Sequence, residues 1–364
     1  VKLRLNLNVS KNFQLMKSIK IIDVLFLLVL FQSCGCNPID AQKGSKEGLY
    51  KGIIKVGHMD ALDMAPLFVA KENGYFREEG LDIEMVFFGN PRDNTEALSK
   101  GRIQFSTNPF TFPYLEANSG EPVQIISAAG GLGVIEVIIQ GEYDIQSVEE
   151  LVQWVKAHPD KKLRISGLKG GLLEMVIRKI LKDNALSYDD VEMVWFNERL
   201  SMVQSFQLNE VDILSHVKPY TTDMIVNQGA KSLANNSDVW GKGTPNCTVT
   251  IMEGFGKQYP GTVMAYLKAL RRGFQFIVDH PEEAAELLDK GHYYRVDLDV
   301  LKYAFSQQPA EVILEPNAQG MKLAIEAMVE LGYIGQPPKQ IINLSFLQEV
   351  QKEVYQDSAD LGEK

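Results

Sequence analysis

Five histidines, three cysteines and two glycine clusters are the residues through which this chain could do chemistry. His58, His158, His216, His280 and His292 form no HExxH pair and no His/Cys cluster, so no zinc or other metal centre is expected. There is no GxSxG, and Cys247 has no base near it in sequence; a small packed thiol is its ordinary role. No catalytic residue is assigned. Gly167-Leu168-Lys169-Gly170-Gly171 lacks the GK[ST] of a phosphate loop, and Gly130-Gly131-Leu132-Gly133 lacks dinucleotide-binding spacing, so no nucleotide cofactor is expected. A glycine-rich helix start still leaves several N–H groups at the positive end of the helix dipole. Lys169, Gly170 and Gly171 therefore read equally as an anion seat or as a tight turn without ligand.

The elements that would position these residues alternate in type. Ile53-Ile54-Lys55-Val56 is strand-like; Pro66 opens a helix over 67–73 that Gly74 closes. Strand-like runs follow at 83–87, 104–106, 123–128, 134–139, 163–166, 191–196 and 212–214, with helices at 93–100, 147–157 and from Leu172. Ser147 with Glu150 three residues later spells a capping box. This alternation predicts an α/β fold with parallel-type sheets covered by helices. The last third is mainly helical, with Val263, Leu267, Leu270, Phe274 and Ile277 on one stripe. The stretches 128–133 and 235–248 read as crossovers between two lobes. Two crossings make a hinge, with a cleft between the lobes.

The chain has 364 residues, enough for two domains, and a formal charge of −10. Such an acidic body does not suit nucleic acid. Residues 1–33 hold five basic residues against Asp23 alone, so without them the charge falls to −14. The apolar run Val24–Phe31 follows lysines and is too short to span a bilayer, which is the layout of a signal peptide over 1–33. Cys34, after Ser33, is then the expected lipidated residue of a bacterial lipoprotein, with Cys36 as the alternative. Met16 is a candidate true start. Residues 34–52 are polar and read as a tether to the membrane surface.

The segment Ala65-Pro66-Leu67-Phe68-Val69-Ala70-Lys71-Glu72-Asn73-Gly74-Tyr75-Phe76-Arg77-Glu78-Glu79-Gly80-Leu81-Asp82-Ile83 resembles the opening of nitrate/sulfonate/taurine-type periplasmic binding proteins of ABC importers. Glu96-Ala97-Leu98, Ser147-Val148-Glu149-Glu150-Leu151, Glu210-Val211-Asp212 with Lys218-Pro219-Tyr220, and His280-Pro281-Glu282-Glu283-Ala284-Ala285 are similar to later family segments, in order. The resemblance covers about residues 53–340.

It implies a two-lobed type II binding-protein fold, with 53–131 and 245–364 as lobe I and 132–244 as lobe II. It also implies a small, anionic ligand (nitrate, sulfonate or taurine-like) delivered to permease and ATPase partners. The family's ligand loops map to Asp60 and Met64, Asn108 and Phe110, Gly130 and Gly131, Lys169 to Gly171, and His216, Lys218 and Tyr220. Asn197 and Glu198 follow a strand at a loop that can face the same cleft. The hydroxyl donors common at the family's glycine-rich helix start are replaced by Gly170-Gly171, and its Glu before Pro is Lys218. An inward Lys218 favours an anion; a solvated surface lysine is the other reading. A thiamine-precursor pyrimidine binder and an enzyme on the same fold are the rival expectations. The implied location is the periplasm or cell surface, held by the lipid.

Overall fold

The computed structural model describes residues 48–131, 133–308, 311–335 and 340–362, all within one compact unit, Lys46–Lys364. The signal segment 1–33, Met16, Cys34, Cys36 and the tether as far as residue 47 lie outside the described residues. Ten strands form two five-stranded sheets. The strands are β1 Ile53–His58, β2 Asp82–Phe87, β3 Phe105–Pro109, β4 Val123–Ala128, β5 Ile135–Ile139, β6 Arg164–Leu168, β7 Glu192–Phe196, β8 Ile213–Val217, β9 Lys231–Asn235 and β10 Cys247–Met252. The first sheet has the order β2-β1-β3-β10-β4 and the second β7-β6-β8-β5-β9. The chain thus leaves the first sheet after β4, builds the whole second sheet, and returns as β10.

The sheets are mixed rather than parallel, which corrects the expectation from strand–helix alternation. β1 runs parallel to β2 and β3, but β10 inserts antiparallel between β3 and β4, with Val249 opposite Thr107. In the second sheet β5 is antiparallel to both β8 and β9. The physical reason is the double crossover: each strand that follows a crossing enters its sheet from the far end. β10 was hidden in sequence by the glycines and proline before it, although Thr248-Val249-Thr250-Ile251 is a β-branched run.

Local chemistry explains the helices that carry the site. Pro66 sits in the first turn of helix Ala65–Glu72, where its missing N–H costs nothing. The Ser147 hydroxyl accepts the Glu150 N–H of helix Val148–Ala157, but the Glu150 carboxylate accepts from Gln146 N, so only half of the expected box closes. Helix Pro260–Asp279 buries Val263, Leu267, Leu270, Phe274 and Ile277, the stripe read from sequence, each worth roughly 1.5–3 kcal/mol relative to exposure. It lies so close to helix Ala65–Glu72 that a Cβ on Gly273 would stand 2.2 Å from the Pro66 carbonyl oxygen. That contact fixes the loop between β1 and helix Ala65–Glu72. Farther on, helix Leu298–Ser306 packs on helix Tyr220–Gln228, and helix Ala318–Glu330 on helix Leu172–Asp183, so the C-terminal helices reach the second sheet as well as the first. No helix among the described residues is long and apolar enough to cross a membrane.

Candidate functional site

A cavity of about 150 Å³ opens between the two sheets, lined by Asp60, Phe87, Gly89, Glu198, Arg199, Leu200, Val203, His216, Tyr220 and Arg295. Asp60 comes from the loop after β1, His216 from the central strand β8, and Tyr220 from the first turn of helix Tyr220–Gln228. Arg199 is the first residue of helix Arg199–Gln207. A cation there opposes the helix dipole, and the Asp60 carboxylate supplies the anion that the helix start favours.

Asp60 is held from three directions. The Arg199 guanidinium pairs with Oδ1, the Tyr220 hydroxyl donates to Oδ2 at 2.5 Å, and the loop itself is tied by Leu62 N donating to the Lys218 carbonyl at 2.9 Å. Burial pushes the Asp60 carboxyl up, but the Arg199 charge and the Tyr220 hydrogen bond outweigh it, so the carboxyl lies below its ordinary value. His216 behaves in the opposite sense. Its burial and the Arg199 charge, against the opposing pull of Asp60, lower it to about 4, so the ring is neutral near pH 7. Its Nε2 lies 3.2 Å from the Arg199 carbonyl, an acceptor, which places the proton on Nε2. Burial and then Asp60 raise the Tyr220 hydroxyl, so it stays a donor.

Four of the residues expected from sequence, Asp60, Glu198, His216 and Tyr220, meet in this cavity. The others are placed differently. Met64 is buried, and its sulfur faces Met59 N at 3.2 Å. Asn108 is buried in a polar knot, donating to the Pro91 carbonyl at 2.9 Å and to the Thr95 hydroxyl at 2.5 Å, and Phe110 is core. Gly130 and Gly131 take φ of 144° and 69°; a Cβ on Gly130 would meet Pro66 Cγ at 2.7 Å, so they serve the crossover's close approach. Lys218 is half-buried and engages the loop through its carbonyl. Asn197 is exposed next to Glu198 and is not part of the lining. Lys169 is exposed, its ammonium 5.0 Å over the Trp195 ring and outside the lining.

The two glycine N–H groups ahead of helix Leu172–Asp183 are satisfied from within, while Gly171, Leu172 and Leu173 line a second, smaller cavity with Arg199. Gly170 N donates at 2.7 Å to Glu174, a buried residue of the helix's own first turn. Gly171 N turns back to the Leu168 carbonyl at 3.3 Å.

Sequence reasoning missed Arg199 and Arg295, the two cations of the cavity. Arg199 had one available signal: it adjoins Glu198, already placed on a cleft-facing loop. Cys247 is sealed, and burial pushes its thiol up, which disqualifies it as a nucleophile. Among the described residues no group of three His, Cys, Asp or Glu side chains could hold a metal ion.

Comparison with known proteins follows the same lines. A family model described as NMT1/THI5 like matches residues 61–284. The bicarbonate transport ATP-binding protein CmpC of Synechococcus elongatus is 23% identical over 287 residues, 75% of this chain but 42% of that protein. The chain therefore spans less than half the length of the CmpC relatives it matches. The formylaminopyrimidine-binding protein of Halalkalibacterium halodurans is 24% identical over 280 residues, 75% of this chain and 79% of that one. Among solved structures, the periplasmic nitrate-binding protein NrtA from Synechocystis PCC 6803 superposes with a TM-score of 0.68 at 17% identity, covering 83% of this chain and 88% of that one. The desulfurization enzyme DSZB also superposes, with a TM-score of 0.60 at 13% identity over 83% of this chain and 99% of that one. At these identities the likeness is one of fold, the two-lobed type II periplasmic-binding-protein architecture.

Proposed function

The chain belongs to the NMT1/THI5-like family, and on that premise we propose that it is the solute-binding component of an ABC importer. One observation carries the reading: Asp60, from the first sheet's loops, meets Arg199 and Tyr220, from the second sheet's helices, at the wall of a ligand-sized cavity. In this account 53–131 with 245–364 form lobe I and 132–244 form lobe II, and ligand enters when the lobes part at the two crossovers. The ligand is small and carries an anionic group of the nitrate, sulfonate or taurine kind, met by Arg199 and Arg295 at the cavity wall. The protein releases it unchanged to a permease and ATPase. The chain works in the periplasm or at the cell surface, anchored by a lipid on Cys34. Nitrate-binding and formylaminopyrimidine-binding relatives support the role as a class.

A flat pyrimidine is the second reading. Phe87, His216 and Tyr220 favour it, because three rings line one cavity.

A thermal-shift panel on the purified protein tests both, using nitrate, bicarbonate, taurine, alkanesulfonates and pyrimidines. A true ligand at a hundredfold excess over Kd stabilises by roughly 2.7 kcal/mol. Mass spectrometry of the recovered compound is expected to show it unchanged. Turnover, or a panel without any stabilising member, sinks the proposal.

A further inference from the structure

We infer that Phe87 and Leu200 are specificity-determining residues of the cavity at Asp60. They select an organic anion, an acidic head on a short apolar body, over a bare inorganic oxyanion such as nitrate or bicarbonate. The inference deepens the solute-binding reading and rests on it.

The charges of the cavity wall cancel. They are two carboxylates, Asp60 and Glu198, and two guanidiniums, Arg199 and Arg295, while the buried His216 ring is neutral near pH 7. Arg199 is moreover already paired with Asp60. A bare oxyanion is held by charge and hydrogen bonds alone, and a wall without net charge repays little of the hydration it gives up. The space is also large for one: about 150 Å³ has room for roughly ten water molecules.

The remaining affinity has an apolar source on the same wall. Phe87 is 55% exposed and Leu200 41%, and both line the cavity. Phe87 ends β2 of the first sheet, whereas Leu200 lies on helix Arg199–Gln207 of the second, next to Arg199 itself. Single exposed apolar side chains are ordinary, but two that line one cavity from opposite lobes form a surface for an apolar partner. Phe87 is also held in place. Its strand pairs with β1 opposite His58, and Phe88 N donates to the His58 carbonyl at 2.9 Å. The His58 ring meets Phe87 at 5.8 Å and Phe68 at 5.1 Å, and Phe68 stacks on Tyr293 at 4.4 Å. This row of rings backs Phe87, so covering its exposed part with ligand orders little that is not already ordered.

The test lengthens the ligand's apolar body while the head stays fixed. Titration calorimetry on the purified protein uses methane-, ethane-, propane- and butanesulfonate, the matching carboxylates, nitrate and bicarbonate. Affinity is expected to rise about two- to fourfold with each methylene, and the longest anions are expected to bind at least tenfold tighter than nitrate. The heat capacity of binding should grow more negative along the series. F87A and L200A, at half-exposed positions that the fold does not depend on, are expected to flatten the rise, and F87L is expected to keep most of it. Nitrate or bicarbonate binding as tightly as the longest anion overturns the inference. So does a rise that F87A and L200A both leave intact. A neutral pyrimidine that outbinds every anion overturns it too, while the solute-binding role stands. A protein that binds no member of the series and no pyrimidine overturns both.

Discussion

The cavity at Asp60 and the helix start at Gly170 each gather polar donors around a carboxylate, yet they end in opposite states. At the cavity the partner is a guanidinium, the carboxyl is pulled below its ordinary value, and about 150 Å³ of space remains beside it. At the helix start the partners are an amide and two hydroxyls, the carboxyl is raised, and the residue is sealed. A full opposite charge overcomes desolvation; neutral donors soften it without reversing it. The turn that looked most like an anion site in sequence has its two glycine N–H groups taken from within. The place with room for a ligand is the one whose cations sequence reading passed over.

The comparison can be broken most forcefully at Arg199. Its side chain is 8% exposed and that of Asp60 22%, so R199A strands a largely buried carboxylate. Removing one partner of a buried pair costs roughly 3–5 kcal/mol, reduced here by Asp60's residual access to water. Chemical denaturation is expected to show a loss approaching that size, with ligand affinity lost as well. The double variant R199A/D60A is expected to recover part of the stability, and a simple sum of the two single losses would deny the coupling.

A finer test uses Asp63, three residues after Asp60 in the same loop and again met only by neutral donors. Its carboxylate accepts Cys247 N at 2.7 Å and the Asn246 amide at 3.4 Å, and burial lifts it to about 6. A folded value above the unfolded 3.8 means the charge disfavours folding above pH 6. That penalty disappears as pH falls from about 6 to 3.8. D63N keeps an acceptor for Cys247 N, so it is expected to be more stable than the wild type at pH 7–8, on the order of 2 kcal/mol. The advantage should shrink across that window, and a pH-independent difference would contradict the assignment.

The smallest effect is expected at Lys169. Its contact with Trp195 is worth about 0.5–1 kcal/mol at an exposed site, so K169A should barely change melting and leave affinity for the panel's ligand intact. A large loss of affinity would return Lys169 to the site.

The sequence made much of the scaffold readable because local signals act at short range. Pro66, Ser147 and the stripe from Val263 to Ile277 each state their own structure within a few residues. Asp60, His216 and Tyr220 were reachable because the family resemblance maps its ligand loops onto them; Asp60 and Tyr220 lie just past strands and His216 within one. Arg199 was not, because its helix, Arg-Leu-Ser-Met-Val-Gln-Ser-Phe-Gln, shows no clear apolar stripe, and only packing brings it to Asp60, 139 positions earlier. Glu174 was visible as an acid in the first turn of its helix, a common helix-start feature. That it folds back onto Gly170 depends on Tyr188 and Tyr333, the latter 159 positions away, which no local pattern reports.

The most direct measurement is a crystal structure of the protein with the compound that stabilises it most. The account predicts that compound in the cavity against Asp60, Arg199, His216, Tyr220 and Arg295, with Gly170 N still bonded to Glu174. A ligand anion seated on Gly170 with Glu174 swung away would contradict it.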